Sequence, residues 1–238
     1  MIYSNIVKGK FVSRPNRFIA IVDIDGHDEK VHVKNTGRCK ELLIPGATVY
    51  MEDFKNRMGT RKLRYSLISV FKEKGKLVIN MDSQSPNKVV MEALKDGTIK
   101  LPNMSQLSII KGEQKYKNSR FDFYVEDANG KKGYIEVKGV TLEKDGIVRF
   151  PDAPTERGVK HLHELIDTKL AGFEAYAIFV VQIQGMKLFT PNYETHREFA
   201  ETLIAAKNAG VHILAYDCSV SPDTLTINKQ IPIKLEEY

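Results

Sequence analysis

A run of consecutive apolar residues in the second half of the chain places the strictest limit on its fold. The run extends from Ala175 to Ile183 and is typical of a central β-strand that is covered on both faces. Segments with helical spacing lie on either side of it, at 156–170 and from Phe199 to Ala206. We therefore expect a mixed α/β domain built around one sheet.

The ends of these helices can also be predicted. Thr155 precedes the first helix as a possible N-cap, and Thr195 to Glu198 matches a capping box for the second. Gly210 is suited to end the second helix. Further segments indicate strands at 121–125, 134–140, 147–150 and 211–216, and a short helix at 89–95.

The first third of the chain consists of short strand-like segments separated by turn residues. They lie at 18–24, 30–33, 48–54, 64–72 and 77–80. Five strands of this size favour a small closed β-barrel, and an OB-like fold is the leading interpretation. The polar segment from Asp82 to Lys88 interrupts the pattern. We therefore expect two domains, an OB-like barrel at 1–82 and an α/β domain at 83–238.

Composition limits the other classes of protein. No apolar run approaches the roughly 20 residues of a membrane-spanning helix, and no secretory signal is evident, so we expect a cytoplasmic protein. Cys39 and Cys218 lie far apart and suit reduced thiols. Residues 1–82 contain 16 basic and 9 acidic residues, whereas the remainder contains 20 and 21. This asymmetry fits a basic module for polyanions, although a solvated basic surface has the same composition.

Three charged residues in the second domain form a candidate reactive cluster. Glu136 and Lys138 share one face of a predicted strand, because side chains alternate along a strand. Asp122 lies on the preceding strand, and a hairpin that places residue 122 opposite 136 leaves a three-residue loop at 128–130, with Gly130 in the left-handed position. We therefore expect the two acids to be neighbours.

Two carboxylates close together suit Mg²⁺, or Mn²⁺, and a neighbouring ammonium suits a phosphate or a water molecule. An acid followed after a hairpin by Glu-x-Lys is the PD-(D/E)xK pattern of restriction-type nucleases. The pattern alone is weak. A second Glu-x-Lys occurs at Glu113, the only Pro-Asp follows the cluster at Pro151, and charged residues often alternate along exposed strands.

Longer motifs resemble those of the sugar fermentation stimulation protein A family. They are Ser119 to Phe123, Ile135 to Thr141 and Phe150 to His161, together with Arg14 to Phe18, Asn35 to Arg38 and Gly210 to Tyr216. The resemblance covers essentially the whole chain. It implies DNA binding, an N-terminal OB-like domain and a C-terminal domain similar to restriction endonucleases.

The resemblance also implies roles for individual residues. Asp122 and Glu136 would be metal ligands, with Lys138 in the position of a catalytic lysine. The residues themselves suggest a secondary set of Glu113, Arg157 and His161. Glu113 is either a further carboxylate of the site or a solvated surface residue. Arg157, His161 and Glu164 share a polar stripe of one helix that either meets phosphate or is its solvent face, and His161 is more often a surface histidine than a ligand. Phosphate contacts are expected from basic residues of the barrel, which are Arg14, Arg17, Lys34, Arg38, Lys40, Arg61, Lys62 and Arg64. Three aromatic residues are candidates for base stacking, which are Phe18, Tyr50 and Tyr65.

Two functions remain open at this level. The first is a DNA-binding protein of low sequence specificity with a Mg²⁺-dependent nuclease site. The second is a noncatalytic DNA-binding regulator of sugar metabolism that retains a nuclease-like fold. A small-molecule enzyme of sugar metabolism is disfavoured, because no phosphate-binding glycine loop, dinucleotide fingerprint or nucleophile elbow occurs.

Overall fold

The N-terminal part is a curled sheet that closes into a barrel. In a computed structural model that describes residues 1–35, 37, 39–74, 76–117 and 119–237, its strands are β1 (Ile6–Asn16), β2 (Ile19–Ile24), β3 (His27–Val33), β4 (Thr48–Asp53), β5 (Tyr65–Lys72) and β6 (Leu77–Asn80). Neighbouring strands are antiparallel in the order β3-β2-β1-β4-β5-β6, and a parallel pairing of β3 with β5 closes the barrel. The predicted OB-like barrel is confirmed.

The barrel differs from the prediction in one strand. Its five closing strands are β1 to β5, whereas the sequence indicated no strand at 6–16 and counted 77–80 as the fifth. Only Gly9 and Phe11 of β1 are buried, so this strand lacks the apolar alternation by which strands are identified. The strand β6 instead extends the sheet beyond β5.

The C-terminal part is a six-stranded mixed sheet covered by helices. Its strands follow the order β15-β14-β12-β9-β8-β7, and β9, β12 and β14 are parallel. The elements are α1 (Ser85–Lys95), β7 (Leu107–Tyr116), β8 (Ser119–Asp127), β9 (Lys132–Val140), β10 (Leu142–Lys144), β11 (Ile147–Phe150), α2 (Glu156–Leu170), β12 (Glu174–Val181), β13 (Leu188–Pro191), α3 (Arg197–Asn208), β14 (His212–Val220) and β15 (Leu225–Gln230). The strands β10, β11 and β13 form a separate small sheet.

The central strand β12 shows why the domain has three layers. All eight of its residues are buried. Ala177 and Phe179 belong to the core that also contains apolar residues of α2 and α3, whereas Ile178 and Val180 belong to the core under α1. Because alternate side chains point to opposite faces, the unbroken apolar run requires a cover on both sides. The predicted mixed α/β architecture is confirmed.

Several predicted element ends are also observed, and one is wrong. The helix α2 has the expected bounds, and the Thr155 hydroxyl accepts a hydrogen bond from the Gly158 amide. Gly210 follows α3 with φ +92°. The capping box at Thr195 is not formed, because α3 begins at Arg197 with His196 as its N-cap residue and no side-chain capping bond.

A buried polar junction joins the barrel to the α/β layers. The side-chain oxygen of Asn80, at the end of β6, accepts hydrogen bonds from the Gln182 amide (2.8 Å) and the Ser85 hydroxyl (3.1 Å). Asp82 is fully buried and accepts from Lys34 at 2.6 Å and from the Tyr3 hydroxyl at 3.3 Å. The segment in which the composition suggests a linker is therefore a packed contact, and we retain residue 82 as the proposed domain boundary.

No helix in the described part of the chain is long and apolar enough to cross a bilayer. Cys39 and Cys218 are buried free thiols.

The junction predicts a large effect of Asn80→Ala on stability. The substitution leaves the buried Gln182 amide and Ser85 hydroxyl with fewer partners, and we expect the free energy of unfolding to fall by about 2–3 kcal/mol. Urea denaturation measures the change. Asn129→Ala, in an exposed turn, serves as the matched control and should change stability by less than about 0.5 kcal/mol. Equal effects of the two variants would contradict a structural role for the junction.

Candidate active site

The hairpin of β8 and β9 brings the three predicted residues together. Tyr124 pairs with Tyr134 and Glu126 with Lys132, which is the register that places residue 122 opposite 136. The Asp127 amide donates to the carbonyl of Lys131, and Gly130 has φ +78° in the turn between them. The register and loop predicted from side-chain alternation are thus confirmed.

The two strands separate at Asp122. Every second pair in this register is hydrogen-bonded, beginning with residues 127 and 131. Residues 121 and 137 would form such a pair, in which the Val137 amide donates to the carbonyl of Phe121. It donates instead to Oδ2 of Asp122 at 2.7 Å. The Asp122 carboxylate therefore replaces a backbone acceptor at the point where β8 leaves β9, which fixes it at the edge of the opening between the strands.

The other oxygen of Asp122 is held by a side chain of α1. Asn87, in the first turn of α1, donates from Nδ2 to Oδ1 at 2.7 Å. Sequence reasoning missed Asn87, and nothing but its position next to Pro86 at a helix start marks it. Both Asp122 oxygens therefore have fixed directions, and each retains a lone pair for a further contact.

Glu136 is buried and asymmetrically satisfied. Its Oε1 accepts from Lys138 Nζ at 2.6 Å and is also hydrogen-bonded to Nδ1 of His161. Its Oε2 is inaccessible to solvent and has no hydrogen-bond partner among the described residues. A carboxylate oxygen that is buried without a donor is costly, unless a cation occupies the space next to it.

The pKa values of the two acids are shifted in opposite directions. Burial raises the pKa of Asp122, and the negative charge of Glu136 raises it further, against the hydrogen bonds from Val137 and Asn87. Burial also favours the neutral form of Glu136, but the His161 hydrogen bond and the Lys138 charge outweigh it and lower its pKa. Because the charge of Glu136 contributes to the pKa of Asp122, the two carboxylates interact electrostatically.

A chain of hydrogen bonds on α2 fixes the orientation of Glu136. Arg157 Nε donates to Nε2 of His161 at 3.3 Å. Because that nitrogen accepts, the neutral imidazole carries its hydrogen on Nδ1 and donates it to Oε1 of Glu136. The sequence favoured a surface position for His161, yet the residue is only 8% exposed. We therefore interpret His161 as a positioning residue and not as a metal ligand.

The remaining acids of the region behave differently. Glu113 is opposite Asp122 in the register of β7 and β8, but its side chain is 77% exposed and pairs with Arg120 at 3.4 Å. Glu164, one turn beyond His161, has a buried Oε2 that is also without a partner among the described residues. The secondary set is therefore divided, with His161 and Arg157 at the cluster and Glu113 facing solvent.

A second group of potential ligands lies where α2 and α3 begin. Glu156, His196 and Glu198 have ligand atoms within 4.8 Å of one another. The Thr155 amide donates to Nδ1 of His196, so that the neutral ring directs an N–H, not a lone pair, from Nε2 towards the acids. We interpret this group as a local charge contact at two helix ends.

Many basic residues of the barrel already have internal partners. Arg64 forms a two-point ion pair with Asp53 at 2.6 and 2.8 Å, and Lys34 is bound to Asp82. Arg14 donates to the backbone carbonyls of residues 17, 35 and 37. These contacts engage side-chain donors that we expected, from the sequence, to contact phosphates.

Other residues predicted to bind nucleic acid remain accessible or lie elsewhere. Arg17 and Lys40 are exposed, and Arg17 stands 5.0 Å over the ring of Phe18. Arg61 stacks on Phe54 at 3.7 Å and lines a cavity of about 240 Å³ with Lys62. Arg38 lies outside the described residues. Of the aromatic residues, Phe18 is 46% exposed, Tyr50 is half-buried and Tyr65 is only 5% exposed, which excludes Tyr65 as a stacking platform.

Comparison with known protein families identifies the family to which the chain belongs. Residues 84–224 match the sugar fermentation stimulation protein RE domain, and residues 12–79 match the SfsA N-terminal OB domain. The chain belongs to the SfsA family. The resemblance inferred from the sequence motifs is thereby confirmed.

Relatives within the SfsA family match over their full length. The sugar fermentation stimulation protein homolog of Clostridium beijerinckii is 57% identical and covers 99% of this chain and 100% of that protein. The homolog of Desulfitobacterium hafniense is 53% identical, with 100% of both chains covered. Among solved structures, Pyrococcus furiosus SfsA in complex with Ca²⁺ matches with a TM-score of 0.86 and 27% identity over 98% of each chain.

The hydrogen-bond chain predicts a single tautomer for His161. Long-range ¹H–¹⁵N spectra should show hydrogen on Nδ1 and a lone pair on Nε2, because Arg157 donates to the latter. His27, which is exposed, provides the reference for an unconstrained imidazole. Hydrogen on Nε2 of His161 would contradict this arrangement and the orientation that we assign to Glu136.

Proposed function

We propose that this SfsA-family chain is a divalent-metal-dependent phosphodiesterase that cleaves nucleic acid, namely DNA, with little sequence specificity. The observation that carries the proposal is the buried Oε2 of Glu136, which has no partner among the described residues, near the half-buried carboxylate of Asp122. The charge of Glu136 raises the pKa of Asp122, and such a pair of acids is expected where a cation normally balances the charge.

The donor set fits a hard divalent ion. Asp122 and Glu136 contribute oxygen ligands, the preference of Mg²⁺ and Mn²⁺, and neither a thiol nor a free imidazole nitrogen faces them among the described contacts. The Ca²⁺ in the related Pyrococcus furiosus protein supports a divalent site in this family. We assign the site here to Mg²⁺, or Mn²⁺, held by Asp122 and Glu136.

The chain's own residues supply the remaining elements of phosphodiester hydrolysis. When bound, the metal ion would lower the pKa of a coordinated water and offset the charge on the phosphate. Lys138, held by Oε1 of Glu136, places an ammonium next to this position for the water or the phosphate. His161 keeps Glu136 in place. Among the described contacts Arg157 donates to His161 through Nε alone, which leaves its terminal nitrogens to face a phosphate oxygen.

The barrel is assigned to hold the nucleic acid. Arg17, Lys40, Arg61 and Lys62 are the predicted contacts whose charges are not consumed by ion pairs in the described structure, and they are suited to phosphates rather than to base edges. We propose binding that is sensitive to salt and tolerant of sequence.

Cleavage assays with metal-site variants test the proposal. The purified chain is incubated with single-stranded, duplex and branched DNA and with RNA, in Mg²⁺, Mn²⁺ or EDTA. We expect metal-dependent cleavage, and a loss of at least about a hundredfold in Asp122→Asn, Glu136→Gln and Lys138→Met, because each removes a ligand or charge at the reacting phosphate. Asp167→Asn, an exposed acid on α2, is the matched control and should retain activity.

Two outcomes would overturn catalysis. Cleavage that persists in Glu136→Gln would point to a contaminating nuclease. Binding by every form, with no cleavage under any metal condition, would favour the noncatalytic regulator.

Metal binding has a readout that is independent of cleavage. Mn²⁺ at about 100 times its Kd should stabilise the folded chain by about 2.7 kcal/mol, which raises Tm by roughly 5–10 °C for a chain of this size. Glu136→Gln should abolish that rise, whereas Glu156→Gln should not affect it, because we assign no ion to the group at Glu156, His196 and Glu198. Thermal unfolding with and without Mn²⁺ measures both. An unchanged response in Glu136→Gln would reject this ligand assignment.

A further inference from the structure

A cavity of about 110 Å³ lies between the barrel and the α/β layers. Asn35 and Ser83 line it from the segments that follow β3 and β6, and residues 139–142 line it from the end of β9 and the start of β10. The other residues of its wall are Arg149, Phe150, Asp152 and Gln182. None of them belongs to the cluster of two carboxylates and a lysine, so the cavity is distinct from the proposed metal site.

One strand joins the cavity to the candidate active site. Lys138 of β9 is followed directly by Gly139, where the wall of the cavity begins. Glu136 and Gly139 are three residues apart, which is about 10 Å along a strand. Since stacked nucleotides of one strand advance by about 3.4 Å each, a base close to a phosphate at Glu136 is within reach of the cavity.

Two charged side chains of the wall are not engaged by the protein. Among the described residues, neither the Arg149 guanidinium nor the Asp152 carboxylate forms a hydrogen bond or an ion pair, although both line the same small cavity. Arg149 is half-buried and carries five N–H donors in a fixed plane. A polar group in such a place is normally hydrogen-bonded, so these two side chains indicate a ligand with both acceptors and donors.

A third polar group of the wall has a fixed direction. The Nε2 of Gln182 donates to Oδ1 of Asn80 at 2.8 Å and to the carbonyl of Asp82 at 3.1 Å, which uses both of its hydrogens. Its Oε1 accepts no hydrogen bond from the described residues and lies against Gly139, where a Cβ atom would be 2.5 Å from it. The cavity therefore presents two acceptors, Asp152 and Gln182, and the donors of Arg149.

This combination of groups favours a nucleobase over a phosphate. A phosphate would be repelled by the Asp152 carboxylate, whereas guanine has acceptors at O6 and N7 for an arginine and N–H donors at N1 and N2 for a carboxylate. An aromatic ring is also present in the wall. Phe150 is half-buried, and ring contacts with Phe179 at 5.6 Å and Phe199 at 5.2 Å fix its orientation.

We propose that this cavity binds one unpaired guanine base of the nucleic acid, close to the reacting phosphodiester, through Arg149 and Asp152. This inference rests on the proposed function and adds a base preference at a single position, while phosphate contacts hold the rest of the strand. A base enters such a cavity only when it is unstacked and unpaired, so the preference applies to single strands and to opened duplexes.

The test measures the affinity for single strands that differ in one base. The purified chain is titrated, in EDTA to suspend cleavage, with labelled twelve-nucleotide strands of thymine that carry thymine, adenine, guanine or hypoxanthine at one central position. Hypoxanthine lacks only the N2 amino group of guanine, so it removes one donor to Asp152 and keeps O6 and N7 for Arg149. Fluorescence anisotropy gives the four affinities.

We expect the guanine strand to bind at least about fivefold more tightly than the thymine strand, the lower end of what a bidentate base contact provides. The hypoxanthine strand should lie between them. Asp152→Asn should remove most of the difference between guanine and hypoxanthine, and Arg149→Gln most of the difference between guanine and thymine. Because each readout is a ratio of affinities, a general loss of charge does not imitate it.

Two matched controls remove the same charges elsewhere. Asp167→Asn and Lys229→Gln alter exposed positions of α2 and β15 and should leave both ratios unchanged. Thermal unfolding checks the fold of every variant. It should be unaltered in Asp152→Asn and Arg149→Gln, because neither side chain has a hydrogen bond or ion pair to lose among the described residues.

The outcomes separate this inference from the proposed function. Equal affinities of the unmodified chain for all four strands would overturn the guanine site, and so would a guanine preference that persists in both Arg149→Gln and Asp152→Asn. Either result leaves the proposed function standing, since that is judged by metal-dependent cleavage. Failure of the unmodified chain to bind any strand would overturn the guanine site, and the absence of cleavage in Mg²⁺ and Mn²⁺ would overturn both.

Discussion

The separation of β8 from β9 at Asp122 is the feature on which the candidate active site depends. A regular hairpin would direct the Val137 amide to a backbone carbonyl, and the carboxylate would lose that donor. Because the strands separate, Asp122 takes over the backbone hydrogen bond and receives a second one from Asn87. A carboxylate that completes a sheet cannot move away from its neighbour, and the unfavourable proximity to Glu136 is maintained by the hydrogen bonds of the fold.

Much of this geometry could be predicted from the sequence, because it follows from periodicity. The alternation of side chains fixed the register of residue 122 against 136, and the apolar run at 175–183 indicated a strand covered on both faces. The strand β1 was not predictable in the same way, since nine of its eleven residues are not fully buried. Neither Asn87 nor the burial of His161 leaves a local signal, because both depend on where distant segments pack.

Charge illustrates a second limit of sequence reasoning. Net charge identifies the first third of the chain as basic, but it does not reveal which cations are engaged. Arg64 and Lys34 are bound by acids of the same region or of the junction, whereas the cations of the β7–β8 hairpin face solvent in a part of the chain that is nearly neutral overall. The potential that a polyanion meets is determined by the unpaired charges, and those become visible only with side-chain contacts.

The junction at Asn80 and Gln182 has a mechanical consequence. A hinge between two halves requires a segment whose backbone can rotate without breaking buried polar contacts. Here the backbone amide of Asn80 donates to the backbone carbonyl of Gln182, and Lys72 of the barrel is paired with Glu143 of β10. Rotation would break these contacts and expose several polar groups at once. We therefore expect the barrel and the carboxylates to keep a fixed separation, without closure of one domain on the other.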